Sequence, residues 1–146
     1  MSSSFWIFVR APSDTSTYTL LTVRVLIADD EPLFAQALEV MLSSDGRIEV
    51  VGRAADGSEA VALARRLEPD VVLMDLSMPV LDGFRATEQI AGGPGDVRVL
   101  VLTGSEDPAD VAKARRAGAT GYLTKDQIAE ALVDAILVAG ARGGRG

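Results

Sequence analysis

Hydrophobic positions follow two alternating patterns from Val23 onward. Short runs rich in β-branched residues, such as Val71 to Met74, predict strands that are buried on both faces of a sheet. A segment with helical spacing follows each run, and glycine, proline or acidic residues separate the two. The predicted strands are 23–28, 48–55, 71–74, 97–102 and 121–124. This alternation of strands and helices predicts a parallel sheet with helices on both faces.

The order of these units restricts the topology. Right-handed crossovers and five strands favour an α/β, flavodoxin-like three-layer fold, with strand order 2-1-3-4-5 and five helices. The crevice of such a fold lies between strands one and three, at their carboxyl ends. Those two strands end in Asp29-Asp30 and in Asp75. We therefore expect the three carboxylates to meet at one edge of the sheet.

The folded unit is predicted to occupy residues 23–139. Residues 1–22 combine a short apolar patch with a Ser/Thr-rich segment and are predicted to be a flexible extension, the alternative being an added strand or an interaction segment. Residues 140–146 are rich in glycine and arginine and are predicted to be a flexible tail. At their starts, Asp56, Asp107 and Asp126 are predicted to cap the second, fourth and fifth helices.

The amino-acid composition restricts the kinds of site and reaction that the chain can support. The 146 residues are 48% hydrophobic, enough for one domain with a core. A net charge of −7 argues against a nucleic-acid surface. The chain has no cysteine and no histidine, which excludes disulfides, thiolate chemistry and histidine catalysis. No apolar run reaches the length of a membrane span, and a cytoplasmic location is expected.

Carboxylate, hydroxyl and lysine chemistry remains. Asp29, Asp30 and Asp75 would repel one another at a shared edge unless a cation lay among them. Oxygen ligands alone select a hard ion, and Mg²⁺ is the expected one. Lys125 and Thr103 end neighbouring strands and could bind the same phosphoryl group. Together these residues indicate phosphoryl transfer to an aspartate.

Each of these residues alone has an ordinary structural explanation. An acidic cluster before a helix can simply cap it and complement its dipole. A threonine after a strand is a common turn residue, and a lone lysine is usually a solvated charge. Only their joint placement at strand ends favours function.

Several motifs resemble the receiver domain of two-component response regulators. They are Asp29-Asp30, Asp75 with 78–83 (MPVLDG), Thr103-Gly104 and 117–125 (AGATGYLTK), and they occur in matching βα units. The resemblance extends from about Val23 to Ala139. The sequences VLIADDE at 25–31 and YLTKD at 122–126 are most similar to the NarL/FixJ subfamily.

The resemblance implies a site centred on Asp75. This residue would accept a phosphoryl group from a sensor histidine kinase or from a small donor such as acetyl phosphate. Mg²⁺ would be bound by Asp30 and Asp75 directly, by Asp29 mostly through water, and by the backbone carbonyl of Ser77. Lys125 would pair with a phosphoryl oxygen. Such a chain is not an enzyme with an external substrate, since it catalyses only its own phosphorylation and dephosphorylation.

The resemblance also implies a switch. Thr103 would move toward the phosphoryl group and draw Tyr122 inward, while the backbone of Gly104 and Leu76 would bind phosphoryl oxygens. The fourth helix, fifth strand and fifth helix would then change as a surface for a downstream protein, and a homodimer could form on phosphorylation. Two departures are Gly104, where alanine is frequent, and Asp126, where many receivers have proline.

NarL/FixJ-like regulators generally continue into a helix-turn-helix domain, for which this sequence has no room. We expect a stand-alone receiver that contacts proteins and not nucleic acid; the alternatives are the receiver part of a longer transcriptional regulator and a degenerate receiver that signals without phosphorylation. A haloacid-dehalogenase-type phosphatase would need Asp-x-Asp, which Asp75-Leu76-Ser77 lacks. A flavodoxin-like FMN site is disfavoured because Asp29-Asp30-Glu31 would repel phosphate.

Overall fold

The computed structural model describes residues 8–10, 18–20, 22–78, 80–104 and 106–141. Two short strands, β1 (Phe8–Arg10) and β2 (Tyr18–Leu20), pair antiparallel. The main sheet consists of β3 (Val23–Ala28), β4 (Ile48–Ala54), β5 (Val71–Asp75), β6 (Arg98–Thr103) and β7 (Gly121–Thr124). These strands are parallel and lie in the order β4-β3-β5-β6-β7, which confirms the predicted 2-1-3-4-5 topology.

Helices cover both faces of this sheet. They are α1 (Pro32–Ser43), α2 (Gly57–Leu67), α3 (Gly83–Ala91), α4 (Pro108–Ala117) and α5 (Val133–Ala141). One core cluster lies between the sheet and helices α1 and α5, and the other lies between the sheet and helices α2, α3 and α4. Every residue of β5 is buried, because this strand has a partner strand on each side and helices on each face.

The strand register positions the candidate site. Ala28 of β3 lies opposite Met74 of β5, so the residues that follow them, Asp29 and Asp75, reach the same level of the sheet edge. Thr103 of β6 lies opposite Thr124 of β7, and Lys125 follows directly. The carboxyl ends of four parallel strands thus deliver their polar residues to one edge, as expected for this fold class.

Side-chain caps begin three of the helices. The carboxylate of Asp56 accepts a hydrogen bond from the Glu59 backbone N–H at 2.8 Å, and that of Asp107 accepts one from Ala109 at 2.9 Å, as predicted. Asp82 caps α3 in the same way. These bonds satisfy backbone donors that a helix start leaves unpaired.

The predicted cap at Asp126 is wrong. The chain continues from β7 into a 3-10 turn (Lys125–Gln127) and a π-helical segment (Ile128–Leu132) before α5 begins. Thr124 caps this turn, because its backbone N–H binds the Gln127 side chain in a capping box. Asp126 lies inside the turn, where its carboxylate accepts a hydrogen bond from the Thr124 hydroxyl.

The chain termini fall largely outside the described residues. Of the predicted N-terminal extension, the structure describes the β1–β2 pair and Thr22. Helix α5 ends at Ala141, two residues beyond the predicted end of the domain at Ala139, and residues 142–146 lie outside the description. In the described part of the chain, the helices are too short or too polar to cross a membrane.

Candidate functional site

Three carboxylates meet at the carboxyl edge of the sheet. Asp29, Asp30 and Asp75 each offer an oxygen, and these oxygens all lie within 4.8 Å of one another. Asp29 and Asp75 are buried, whereas Asp30 is exposed. Like charges this close are costly in a buried site, and a hard divalent cation with oxygen ligands relieves the repulsion. The donor set therefore fits Mg²⁺.

Lys125 lies beside two of these carboxylates. Its Nζ is 3.5 Å from Oδ2 of Asp29 and 3.7 Å from Oδ1 of Asp75, and its side chain is 29% exposed. The ammonium group offsets part of the negative charge, but one positive charge does not balance three carboxylates. The edge of the sheet keeps a net negative charge that favours a further cation.

The fold opposes the ionisation of Asp75. Burial raises the pKa of Asp75, and the neighbouring Asp29 carboxylate raises it further. Lys125 and a hydrogen bond from the Ser77 backbone N–H act in the opposite direction on this pKa. A buried carboxylate at the tip of a strand, with an ammonium group beside it, is placed to act as a nucleophile.

Thr103 and Tyr122 are in contact. Thr103 is buried at the end of β6, and its side chain shares a hydrogen bond with the Tyr122 phenol. Burial raises the pKa of Tyr122, and the bond to Thr103 partly opposes this change. The phenyl ring packs against the core cluster under α2, α3 and α4. Any movement of the Thr103 hydroxyl toward Asp75 must therefore change the surroundings of Tyr122.

The other predicted site positions lie around this edge. Gly104 is exposed, and no heavy atom lies within 4 Å of the position that a Cβ would take there. Ser77 is exposed and directs its backbone N–H to Asp75. Leu76 is buried, and its carbonyl accepts a hydrogen bond from the Gly83 N–H at 3.2 Å. The predicted roles of the Ser77 carbonyl and of the Leu76 and Gly104 backbones stay predictions.

Two residues at this edge have contacts that sequence reasoning did not assign: Phe34 was placed only in the helix pattern, and Gly83 only in the 78–83 motif. Phe34, in the first turn of α1, places its ring centroid 4.2 Å from the Nζ of Lys125. Gly83 begins α3 so close to the strand end that a Cβ there would lie 2.4 Å from the Asp75 backbone oxygen. The signals available were an aromatic residue soon after the acidic pair and a glycine at the start of a helix.

The fold and the residues at its edge define a class of protein. Residues 25–137 match the family described as the response regulator receiver domain, and the chain belongs to this family.

Its relatives include regulators of the NarL/LuxR group. The chain is 44% identical over 117 residues to the transcriptional regulatory protein LiaR of Bacillus subtilis, with 80% of this chain and 56% of that protein covered. It resembles the receiver domain of the response regulator NarL from Mycobacterium tuberculosis with a TM-score of 0.80 and 36% identity, over 84% of this chain and 98% of that one.

A third relative has a metal ion in its site. The receiver domain of the sensor histidine kinase PA1611 from Pseudomonas aeruginosa has a magnesium ion coordinated in its active site cleft. The TM-score is 0.74 at 31% identity, with 82% of this chain and 98% of that one covered. The chain spans about half the length of the curated regulators that it matches.

Proposed function

We propose that Asp75 is the phosphoacceptor of a two-component signalling system, in a Mg²⁺-dependent reaction with a sensor histidine kinase or a small phosphodonor. The observation that supports this most directly is the carboxylate cluster of Asp29, Asp30 and Asp75, with the Lys125 ammonium 3.5 to 3.7 Å from two of its members. The chain is the substrate of this reaction and does not turn over an external one.

In the reaction, a carboxylate oxygen of Asp75 attacks the phosphorus atom. The bond from phosphorus to the donor, a phosphohistidine nitrogen or the acyl oxygen of acetyl phosphate, breaks with its electron pair. An aspartyl phosphate forms, and water later cleaves it to phosphate and the free carboxylate. When bound, Mg²⁺ would offset the charge on the phosphoryl oxygens. Asp29 and Asp30 would hold this ion, and Lys125 and Thr103 would each bind one phosphoryl oxygen.

Phosphorylation of Asp75 would change the structure of a surface away from the carboxylate cluster. A phosphoryl group that binds the Thr103 hydroxyl competes with its hydrogen bond to Tyr122. Tyr122 belongs to β7, which contacts α4, and residues of β7 and α5 line one shallow surface pocket. The α4–β7–α5 surface is therefore the proposed contact for a downstream protein or for a second copy of the chain, in line with a two-state switch.

The test of the proposed function is covalent labelling. The protein is incubated with acetyl phosphate and Mg²⁺, and intact mass is measured with and without hydroxylamine, which cleaves acyl phosphates. We expect one phosphoryl group, mapped to Asp75, that EDTA prevents from forming. An unlabelled chain that still binds its partner would contradict the proposal in favour of phosphorylation-independent signalling.

Mg²⁺ is expected to stabilise the unphosphorylated chain. At ten times its dissociation constant, a ligand of the folded state alone adds about 1.4 kcal/mol to the free energy of unfolding. Asp30→Asn should remove most of this gain, because it removes the negative charge of the exposed ligand and leaves the buried Asp29–Lys125 contact intact. Urea titrations with Mg²⁺ and with EDTA measure the difference.

The control for this measurement is Asp96→Asn, whose carboxylate pairs with Arg98 and which should gain as much stability from Mg²⁺ as wild type. A gain in Asp30→Asn equal to that of wild type would contradict the metal site.

Lys125→Ala is expected to separate metal binding from switching. The carboxylate ligands remain, so Mg²⁺ should bind no more weakly than to wild type. A charge-assisted hydrogen bond to the phosphoryl group is lost, which should weaken binding of the phosphoryl analogue beryllofluoride about tenfold or more. Amide NMR shifts of α4 and β7 on adding the analogue report the switch. Wild-type shift changes in Lys125→Ala at the wild-type analogue concentration would show that the lysine has no such role.

A further inference from the structure

Phe34 contacts the same lysine ammonium group that lies beside the carboxylates. Its ring centroid lies 4.2 Å from the Lys125 Nζ, within the distance at which the face of an aromatic ring attracts a cation. The same Nζ lies 3.5 Å from Asp29 and 3.7 Å from Asp75. The ammonium group is therefore contacted by a ring in α1, by a carboxylate that directly follows β3 and by a carboxylate at the end of β5.

The position of Phe34 is closely tied to the acidic cluster. The Glu31 backbone N–H donates a hydrogen bond to Oδ1 of Asp29 at 2.8 Å, and Pro32 follows as the first residue of α1. Phe34 is thus in the first helical turn, four residues after Asp30. It is half-buried, and it packs against the core cluster under α1 and α5. The ring is a fixed surface, whereas the four-carbon side chain of lysine is flexible.

The carboxylate contacts and the ring contact of Lys125 respond differently when a cation binds at the site. A cation bound by Asp29 and Asp75 would weaken their attraction for Lys125, since part of their negative charge would be neutralised. The attraction of the ring does not depend on the state of these carboxylates. The ring is the contact that can keep the ammonium group in place while the charges around it change.

We propose that Phe34 is a positioning residue, whose ring face holds the Lys125 ammonium beside Asp75 in both the metal-free and the metal-loaded chain. The inference rests on the proposed phosphorylation of Asp75 and deepens it. Phe34 does not touch the phosphoryl group, and it acts through the lysine. Its loss should therefore slow phosphorylation and weaken the hold on the phosphoryl group without removing the nucleophile.

The test compares Phe34→Leu, which keeps an apolar side chain, with Phe34→Tyr, which keeps the ring. Acetyl phosphate labelling should be about three- to tenfold slower in Phe34→Leu, the range that corresponds to one exposed cation–π contact or slightly more. Phe34→Tyr should stay within about twofold of wild type. The neighbouring residue Leu33 is 77% exposed, and Leu33→Ala serves as a control for changes in α1.

A second measurement does not depend on phosphorylation. The Lys125 Hε protons should show an upfield ring-current shift in the NMR spectrum of the metal-free chain. Phe34→Leu should abolish this shift and Phe34→Tyr should retain it. In a Lys125→Ala background, Phe34→Leu should change the labelling rate less than twofold, because the residue through which it acts is gone.

The outcomes separate this inference from the proposed function. Unshifted Lys125 Hε protons in wild type, or equal labelling rates for Phe34→Leu and Phe34→Tyr, would overturn the role of Phe34. So would an undiminished effect of Phe34→Leu in the Lys125→Ala background. If wild type itself is not labelled at Asp75, the proposed function fails, while the ring-current shift still decides whether Phe34 holds the lysine.

Discussion

Asp75→Asn is expected to abolish phosphorylation of the chain by acetyl phosphate. The amide has nearly the same shape as the carboxylate but carries no negative charge, so its oxygen is a far poorer nucleophile toward phosphorus. The substitution also replaces one of the three carboxylates of the cluster by a neutral amide. Labelling followed by intact mass measurement should show no phosphoryl group under conditions in which wild type is fully modified.

The matched control for this loss is Asp96→Asn. Asp96 is an exposed aspartate that pairs with Arg98 at 3.5 Å, and it lies outside the carboxylate cluster. This variant should be labelled at the wild-type rate. Equal labelling of wild type and Asp75→Asn would place the phosphoryl group elsewhere and refute Asp75 as the acceptor.

The same substitution should make the metal-free chain more stable at neutral pH. Burial and the Asp29 carboxylate raise the pKa of Asp75 above its ordinary value of 3.8 in the folded chain. Between that value and the raised one, the folded chain holds more protons than the unfolded chain, so stability falls as the pH rises through this window. The cost is fully present above the raised pKa, and it disappears as the pH falls to the ordinary value.

Urea titrations in EDTA measure this effect. We expect Asp75→Asn to exceed wild type by about 1 kcal/mol at pH 7, the common scale of a single substitution, and the difference to shrink at pH 4. A variant that is less stable than wild type at pH 7 would show that the Asp75 carboxylate stabilises the metal-free fold.

The sequence predicted the fold and the meeting of its polar residues because both follow from local pattern. A short β-branched run that ends in Asp75 indicates a buried strand with its carboxylate at the sheet edge, and parallel strands bring such ends together. The register confirms this for Asp29 and Asp75. Residue type and strand order were sufficient for that prediction.

Contacts between elements that are distant in the chain were not predictable in this way. Nothing in the spacing of Phe34 distinguishes a core residue from one whose ring also meets Lys125, since this depends on how α1 and the turn after β7 approach each other. The cap at Asp126 was wrong for a related reason. A 3-10 turn and a π-helical segment lie between β7 and α5, and the helical period of the sequence does not distinguish them from a regular helix.

The backbone conformation of the loop after Asp75 was also not predictable from the sequence pattern. Val80 has a φ of 70°, a left-handed conformation that is uncommon for a β-branched residue, and its side chain is exposed. Such a residue persists only where its surroundings fix the backbone. Gly57 and Gly83 provide close backbone contacts here, because a Cβ at Gly57 would meet the Leu81 carbonyl oxygen at 1.8 Å.

Gly83→Ala is expected to destabilise the chain by about 3 kcal/mol. The added Cβ would lie 2.4 Å from the backbone oxygen of Asp75 and 2.6 Å from the Cα of Leu76. Both atoms belong to the backbone, so no side chain can rotate away, and either α3 or the end of β5 must shift. Overpacking of this kind typically costs a few kcal/mol. Urea titrations in EDTA measure the loss directly.

Gly46→Ala is the matched control, because Gly46 has no heavy atom within 4 Å of its Cβ position and its φ is not positive. It should change the free energy of unfolding by no more than about 0.5 kcal/mol. If Gly83→Ala costs as little as this control, α3 can move away from the strand end. The labelling rate of Gly83→Ala then tests whether the position of Asp75 depends on the contact between α3 and the end of β5. A rate below that of Gly46→Ala would show that close packing of α3 on the Asp75 backbone helps to place the nucleophile, and an equal rate would show that the strand alone is sufficient.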